Sequence, residues 1–468
     1  MGKSTGIERQ AMARILITGT QTGCGKTTVS CALLWAFKER SVHITAFKCG
    51  PDYIDPMFHR SVTGVRAYNL DPFFLQGEDL RVYFAAKMHQ ASGSIENPSL
   101  ALLEGAMGYY DGIGASCQAS SYEVARITKT PVVLVVDMSR LGNSAFALIE
   151  GFVRYQDDNG ICGIIFNGMT ETRYLQFKVE LEKRKVHAFG YLPHNPAWQI
   201  ESRHLGLTRA ADIPFLQEKL AALGKQAAET IDVEGLLEAA AQAPDISQEG
   251  VKRVQNRIKR PRHRVRLAVA SDESFCFLYK ENLELLEDLG CDIAFFSPMY
   301  DAQLPEASCG LVLCGGYPEL YAATLTQNVS MRTAVYESIL GYLPTIAECG
   351  GFLYLHAMLD GLPMAGVLKA KAFKTKQLRR FGYVSLQAKK DTLLCKAGDS
   401  IRAHEFHYWE STDPGCDFTA SKSSGITYPC IHASNSLYMG FPHLYFPANP
   451  DFAKRFVRKM HAYQKGEV

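Results

Sequence analysis

The stretch GTQTGCGKTT (residues 19–28) holds residue types that bind phosphate. Its glycines let a loop curl amide N–H groups around an anion, Lys26 can reach phosphate oxygens, and Thr27 can offer a hydroxyl to magnesium. The chemistry is nucleotide binding, with Gly19, Thr22, Gly23, Gly25, Lys26, Thr27 and Thr28 as the contact set. Five residues separate Gly19 from Gly25, so the loop is longer than the common G-x-x-x-x-G-K-[ST] form. Magnesium takes carboxylates plus water. Acids stand just beyond apolar runs: Asp52 and Asp55 in KCGPDYIDPMFH (48–59), and Glu104 and Asp111 in EGAMGYYDG (104–112). Asn167, near the end of CGIIFNG (162–168), could read an adenine edge with its amide or simply close a strand.

A second chemistry belongs to AECGG (347–351), where Cys349 stands between an apolar run and the helix-forming FLYLHAML. A thiol on a strand–turn–helix corner is exposed to substrate and lies near backbone N–H groups, as a nucleophile requires. If GLVLCGGYPEL (310–320) ends the neighbouring strand, the Gly315–Gly316–Tyr317 backbone faces Cys349 as an oxyanion hole for acyl transfer. The base must be a histidine. His443 in GFPHLYF (440–446), His404 and His407 in RAHEFHYW (402–409) all remain candidates on residue type alone.

These residues need strands to carry them. Short apolar runs, ARILITG (13–19), VHITAFK (42–48), SLALLEG (99–105), PVVLVVD (131–137) and CGIIFNG, are spaced to leave room for crossover helices. That pattern predicts a doubly wound α/β domain with a mostly parallel sheet, whose ligands collect at the carboxyl ends of the strands. A second series, VRLAVAS (265–271), CDIAFFS (291–297), GLVLCGG (310–316) and PTIAECGG (344–351), predicts a second α/β domain. Between them, residues 243–264 are polar and basic without an apolar face. The expected division is a loose extension over 1–12, a P-loop domain over 13–242, a linker over 243–264 and the thiol-bearing domain over 265–468.

The chain has 468 residues, 47% hydrophobic and 21% charged, with a net charge of +2, which gives no footprint for nucleic acid or membrane. No apolar window is long enough for a membrane span, and residues 1–11 lack the apolar core of a secretory signal. The 13 cysteines form no Cys-x-x-Cys pair, and their odd number forbids a complete intramolecular disulfide framework. A reducing cytoplasm is the expected compartment, and a homodimer is compatible with the sequence.

Taken together, the phosphate loop, KxGPDYIDPxFH, YNLD (68–71), EGxMGxYDG, RHLGL (203–207), DESFCFLYKENLELL (272–286), FFSP (295–298), GGYPEL, AECGGFLYL, RFGY (380–383) and HEFHY (404–408) closely resemble the cobyrinic acid a,c-diamide synthase family. The likeness runs from about Ala13 to Phe446. It implies a dethiobiotin-synthetase-like N-terminal half fused to a class I glutamine amidotransferase. It further implies that Cys349 attacks the side-chain amide of L-glutamine, that His443 activates the thiol, and that ammonia passes to the ATP-binding half. There, two carboxylates of cobyrinic acid would be phosphorylated by ATP and amidated in turn. By matching motif, Thr27, Asp52 and Glu104 are the expected Mg2+ shell, and Lys48, Tyr53, Asp55 and Asp111 lie near the tetrapyrrole or its phosphorylated intermediate. Such glutaminases often carry an acid two residues after the histidine; here that position is Tyr445.

The shared motifs do not choose the macrocycle, so hydrogenobyrinic acid and nickel-sirohydrochlorin stand as alternative substrates. From other classes come a P-loop ATPase switch with a non-catalytic C-terminal module, and a cysteine hydrolase with an accessory P-loop. The Cys349 corner argues against the switch; the hydrolase leaves Asp52, Glu104 and Asp111 unexplained.

Overall fold

A computed structural model describes residues 12–64, 66–91, 99–198, 202–203, 206–207, 213–246 and 263–467. Residues 1–11 of the expected extension, His204 and Leu205 of the RHLGL motif, and linker residues 247–262 lie outside that set. Two compact units divide after residue 255. No helix among the described residues is long and apolar enough to cross a membrane.

The first unit is built on seven strands: β1 (Ala13–Gly19), β2 (His43–Cys49), β3 (Ala67–Leu70), β4 (Ser99–Glu104), β5 (Val132–Asp137), β6 (Ile161–Asn167) and β7 (Ala188–Leu192). They pair in the order β3-β2-β4-β1-β5-β6-β7, every neighbour parallel. Helix α1 (Lys26–Glu39) follows β1 directly, and α2 (Ile54–Thr63) follows β2. The strands read as unbroken apolar runs because both faces are covered: Ile15, Leu16 and Ile17 of β1 are all fully buried. Chain winding reverses around β1, which lies between β4 and β5, and this puts the glycine-rich loop at the switch point where such sheets bind ligands.

The start of the expected linker belongs to this unit. Buried Arg14 donates to the carbonyls of Met12, Thr128 and Lys129 and, at 2.5 Å, to that of Pro244. Burial pushes its guanidinium down to about 10, opposed by Asp245. Ala243 and Ile246 are buried as well, so residues 243–246 fold against the first unit.

In the second unit, parallel strands Cys291–Phe296, Val265–Ala270, Ser308–Leu313, Thr345–Glu348 and Leu437–Gly440 lie side by side in that order. The antiparallel strand His432–Ala433 closes the edge. One face packs on helices Val329–Leu340 and Gly350–Leu355, through Met331, Val335, Phe352 and Leu355. The other is covered partly by the last helix, Pro450–Gln464, and partly by a five-stranded sheet in which Arg380–Ala388 pairs with Ser400–His407 and Phe418–Ser421. This sheet was absent from the strand series read in the sequence. Its strand His443–Leu444 pairs antiparallel with Ser400–His407 and sets His443 opposite His404.

Candidate active sites

Two glycines of the phosphate loop, Gly19 and Gly25, sit where a larger residue has no room. Gly25 adopts a left-handed backbone (φ 95°) at the head of α1, and a Cβ there would meet the Asn167 amide nitrogen at 2.1 Å. Gln21, Thr22 and Gly23 form the exposed rim, while Thr27 and Thr28 sit half-buried at the start of α1. Lys26 Nζ rests on the Gln21 carbonyl at 2.9 Å. Burial lowers its ammonium, and Lys48 adds to the effect against the pull of Cys24, Glu104 and Asp55. Asn167 donates its amide to the Cys24 carbonyl at 3.1 Å, which ties the end of β6 to the loop. The segment after β4 lies against the loop too, since Tyr109 N–H donates to the Gly19 carbonyl at 2.8 Å.

Glu104 is the hub of the expected acids. Its Oε1 accepts from Thr27 Oγ1 at 2.6 Å and from Lys48 Nζ at 2.9 Å, while Oε2 meets His59 Nε2 at 2.7 Å. Lys48 also pairs with Asp55 at 2.5 Å. Burial alone would push the Glu104 carboxyl up, but Lys48, His59 and Thr27 outweigh it and hold it well below the usual range. Lys48 is likewise penalised by burial, yet Asp55, Glu104 and Asp52 keep it firmly charged. Asp55 goes the other way: burial, then the neighbouring Asp52 carboxylate, raises it. Lys48, Asp55, Glu104 and Thr27 thus converge as expected.

Asp52 spends Oδ1 on the Ile54 and Asp55 amides at the start of α2, directly after Tyr53. Asp111 accepts from Gly108 N–H at 2.8 Å, and a Cβ on Gly108 would also meet the Thr20 carbonyl at 3.0 Å. His59, the partner of Glu104 Oε2, was not among the residues singled out in the sequence. It follows Asp55 by four positions on α2, a spacing that places both on one helix face. Among the described residues, no three His, Cys, Asp or Glu side chains are arranged to hold a metal alone. Magnesium seldom needs that, because it binds through one or two carboxylates plus phosphates and water. The Thr27 hydroxyl with the Glu104 carboxylate is a suitable hard-oxygen pair.

The second unit presents Cys349 on a sharp corner. Its N–H donates to the Gly440 carbonyl at 2.8 Å, its own carbonyl accepts from Leu353 N–H at 2.9 Å, and its backbone is forced to φ 48°, ψ −99°. The strands ending in Leu313 and Glu348 are parallel neighbours, which brings the CGGYPE turn beside the corner. A Cβ on Gly350 would lie 2.9 Å from Gly316 N. Of the three expected oxyanion donors, Tyr317 N–H is already given to the Ser274 carbonyl at 2.9 Å. Gly315 also makes room for the imidazole, since a Cβ there would strike His443 Cε1 at 2.3 Å.

Of the three candidate histidines, His443 is the one hydrogen-bonded to Cys349. Burial would lower its pKa, but Cys349 and then Glu348 raise it to about 10. Burial drives His404 and His407 down to about 3, which keeps them neutral. His407 Nδ1 bonds the Trp409 carbonyl at 2.6 Å, and its ring stacks on Phe441 at 3.9 Å.

Comparison with known proteins places this arrangement. Residues 15–207 match the family described as CobQ/CobB/MinD/ParA nucleotide binding domain, and residues 266–429 match the CobB/CobQ-like glutamine amidotransferase domain. A cobyrinate a,c-diamide synthase of Clostridium acetobutylicum is 35% identical over 455 residues, spanning 96% of this chain and 100% of the relative. The chain belongs to the cobyrinate a,c-diamide synthase family. Relatives with that name from Caldanaerobacter subterraneus (38% over 405 residues; 85% of this chain, 86% of the relative) and Thermoplasma volcanium (32% over 470; 97% and 98%) are similar along nearly the same length. Among solved structures, PurLQS from Thermotoga maritima is similar with a TM-score of 0.32 and 14% identity, over 43% of this chain and 99% of that one, too distant to carry an argument. The motif-based resemblance is thereby borne out, as are the two α/β halves, one nucleotide-binding and one glutaminase. The chain is a glutamine-hydrolysing ligase that uses ATP.

Proposed function

We propose that the protein converts the a- and c-acetate carboxylates of cobyrinic acid to amides, with residues 13–242 as the synthetase half and 265–468 as the glutaminase half. The observation that carries this reading is the match to synthases of that name along 96% of the chain. A carboxylate is a poor electrophile because its leaving group would be oxide. Transfer of the ATP γ-phosphoryl group to one carboxylate oxygen supplies a good leaving group; ammonia then attacks the acyl carbon and inorganic phosphate departs. Lys26 and the loop amides neutralise charge on the transferring oxygens. Thr27 and Glu104 would hold Mg2+, with Asp52 nearby, and the ion would supply further charge neutralisation at the phosphates. Lys48, Tyr53, Asp55 and Asp111 are proposed to face the substrate.

In the glutaminase half, the Cys349 sulfur bonds to the glutamine side-chain carbonyl carbon, and the Gly316 amide is the proposed oxyanion donor. His443 hands its proton to the departing ammonia and then draws one from the water that cleaves the thioester. A reducing cytoplasm suits the 13 free cysteines. The test incubates purified protein with ATP, magnesium, glutamine and, in turn, cobyrinic acid, hydrogenobyrinic acid or nickel-sirohydrochlorin, and counts new amides by mass. Cobyrinic acid should gain two amides; Cys349→Ala should lose the glutamine-driven reaction and keep it with free ammonia. Conversion of only another macrocycle, or glutamine hydrolysis surviving in Cys349→Ala, would refute the proposal.

A further inference from the structure

We infer that Glu348 is the acid that positions His443, in the role usually filled by a carboxylate two residues after the histidine. Tyr445, which stands at that usual position, is buried with its ring edge-on to Tyr279 at 5.1 Å, a packing role. Glu348, the residue before Cys349, faces the histidine instead. Its Oε1 accepts from Leu444 N–H at 3.1 Å, and its Oε2 lies 3.7 Å from His443 Nδ1. One carboxylate therefore holds the backbone that carries the histidine and faces the ring itself. Asn282 completes the clamp, donating to the Leu444 carbonyl and accepting from Phe446 N–H, each at 2.8 Å.

The distance to Nδ1 is an ion-pair distance and too long for a hydrogen bond. Such contacts in a ligand-free site tighten when the substrate arrives. A carboxylate there fixes the ring's tautomer and balances the imidazolium formed in each half-reaction. The kink at Cys349 interrupts strand alternation, which lets consecutive residues address the same ring. Other groups facing His443 do not substitute for Glu348. His404 and His407 are neutral, and Glu405, pushed up by burial, accepts the Tyr428 hydroxyl. Glu348 itself faces Cys314 and Tyr438, whose acidities burial suppresses.

This inference rests on the glutaminase reading, and its test separates the two. Glu348→Gln and Glu348→Asp are made in the full chain. Glutaminase kcat/KM is measured across pH, and the midpoint of its alkaline limb, where the His443 imidazolium gives up its proton, is read for each protein. Glu348→Gln should lower kcat/KM roughly tenfold to a hundredfold. It should also move that midpoint down by about one pH unit, because an anion no longer supports the imidazolium. Glu348→Asp should recover part of both. A wild-type midpoint in Glu348→Gln, whatever its turnover, overturns the inference and leaves Glu348 only its bond to Leu444. If Glu348→Gln does not fold, the midpoint of Glu348→Asp decides: a downward shift supports the inference and an unchanged value overturns it. Glutamine hydrolysis persisting in Cys349→Ala would instead sink the underlying reading.

Discussion

Replacing Gly315 by alanine adds one methyl group, with no change of charge or backbone class. That methyl carbon would lie 2.3 Å from His443 Cε1 and 3.2 Å from Nδ1, where ordinary carbon contacts begin near about 3.5 Å. It would also lie 3.2 Å from Phe277 Cβ, so the turn cannot easily retreat the other way. The imidazole must give way by about 1 Å, and misplacing a catalytic group by that much costs on the order of a hundredfold in rate. A hundredfold corresponds to about 2.7 kcal/mol of transition-state stabilisation. The assay compares glutamine hydrolysis with amidation driven by free ammonia in the same preparation. Glutaminase kcat/KM should fall about a hundredfold, while ammonia-driven turnover, which bypasses Cys349 and His443, stays near wild type. If hydrolysis instead remains within about threefold of wild type, under 1 kcal/mol, the space at Gly315 is not what seats the base.

Lys48→Met should unfold the first unit more readily by about 3–5 kcal/mol, because it leaves Glu104 and Asp55 buried without their cation; urea titration measures this, and a loss below about 1 kcal/mol would show that His59 and Thr27 suffice. Acid sensitivity follows from three buried histidines. Burial lowers His356 to about 4 and His404 and His407 to about 3, from an ordinary value of 6.5. Between pH 6.5 and 4 the unfolded chain binds protons that the folded form refuses, so stability rises with pH across that window. Thermal unfolding should occur at lower temperature at pH 5 than at pH 7, and a flat or reversed dependence would contradict neutral burial.

Local spacing carried most of what the sequence revealed. The phosphate loop, the acids after β2 and β4, and the Cys349 corner are each set within about ten residues, and short-range pattern is what periodicity and turn chemistry report. The partnership of Glu348 with the His443–Leu444 strand joins positions 96 residues apart, and only the pairing of Thr345–Glu348 with Leu437–Gly440 brings them together. Asn167 illustrates the same limit, since its carbonyl partner on Cys24 lies 143 residues away. The five-stranded sheet was hidden for another reason. Its strands bury one face only, with Val384, Leu386 and Ala388 inside and Gln387 outside, and such alternation stands out less than the solid apolar runs of the parallel sheets. The linker start was misread because Ala243 and Ile246 are apolar islands in a polar tract, and their burial depends on the first unit's surface.

The corner at residue 349 sets reactivity against durability. A non-glycine residue at φ 48°, ψ −99° forfeits about 1–3 kcal/mol, out of the roughly 5–15 kcal/mol that keeps a domain folded. Glycine would sit there without complaint and the molecule would outlast its working form, inert. Selection that retains sulfur at this point leaves less slack for harmful substitutions among the neighbouring strands, so drift around the thiol should be tolerated less well than drift of equal size far from it.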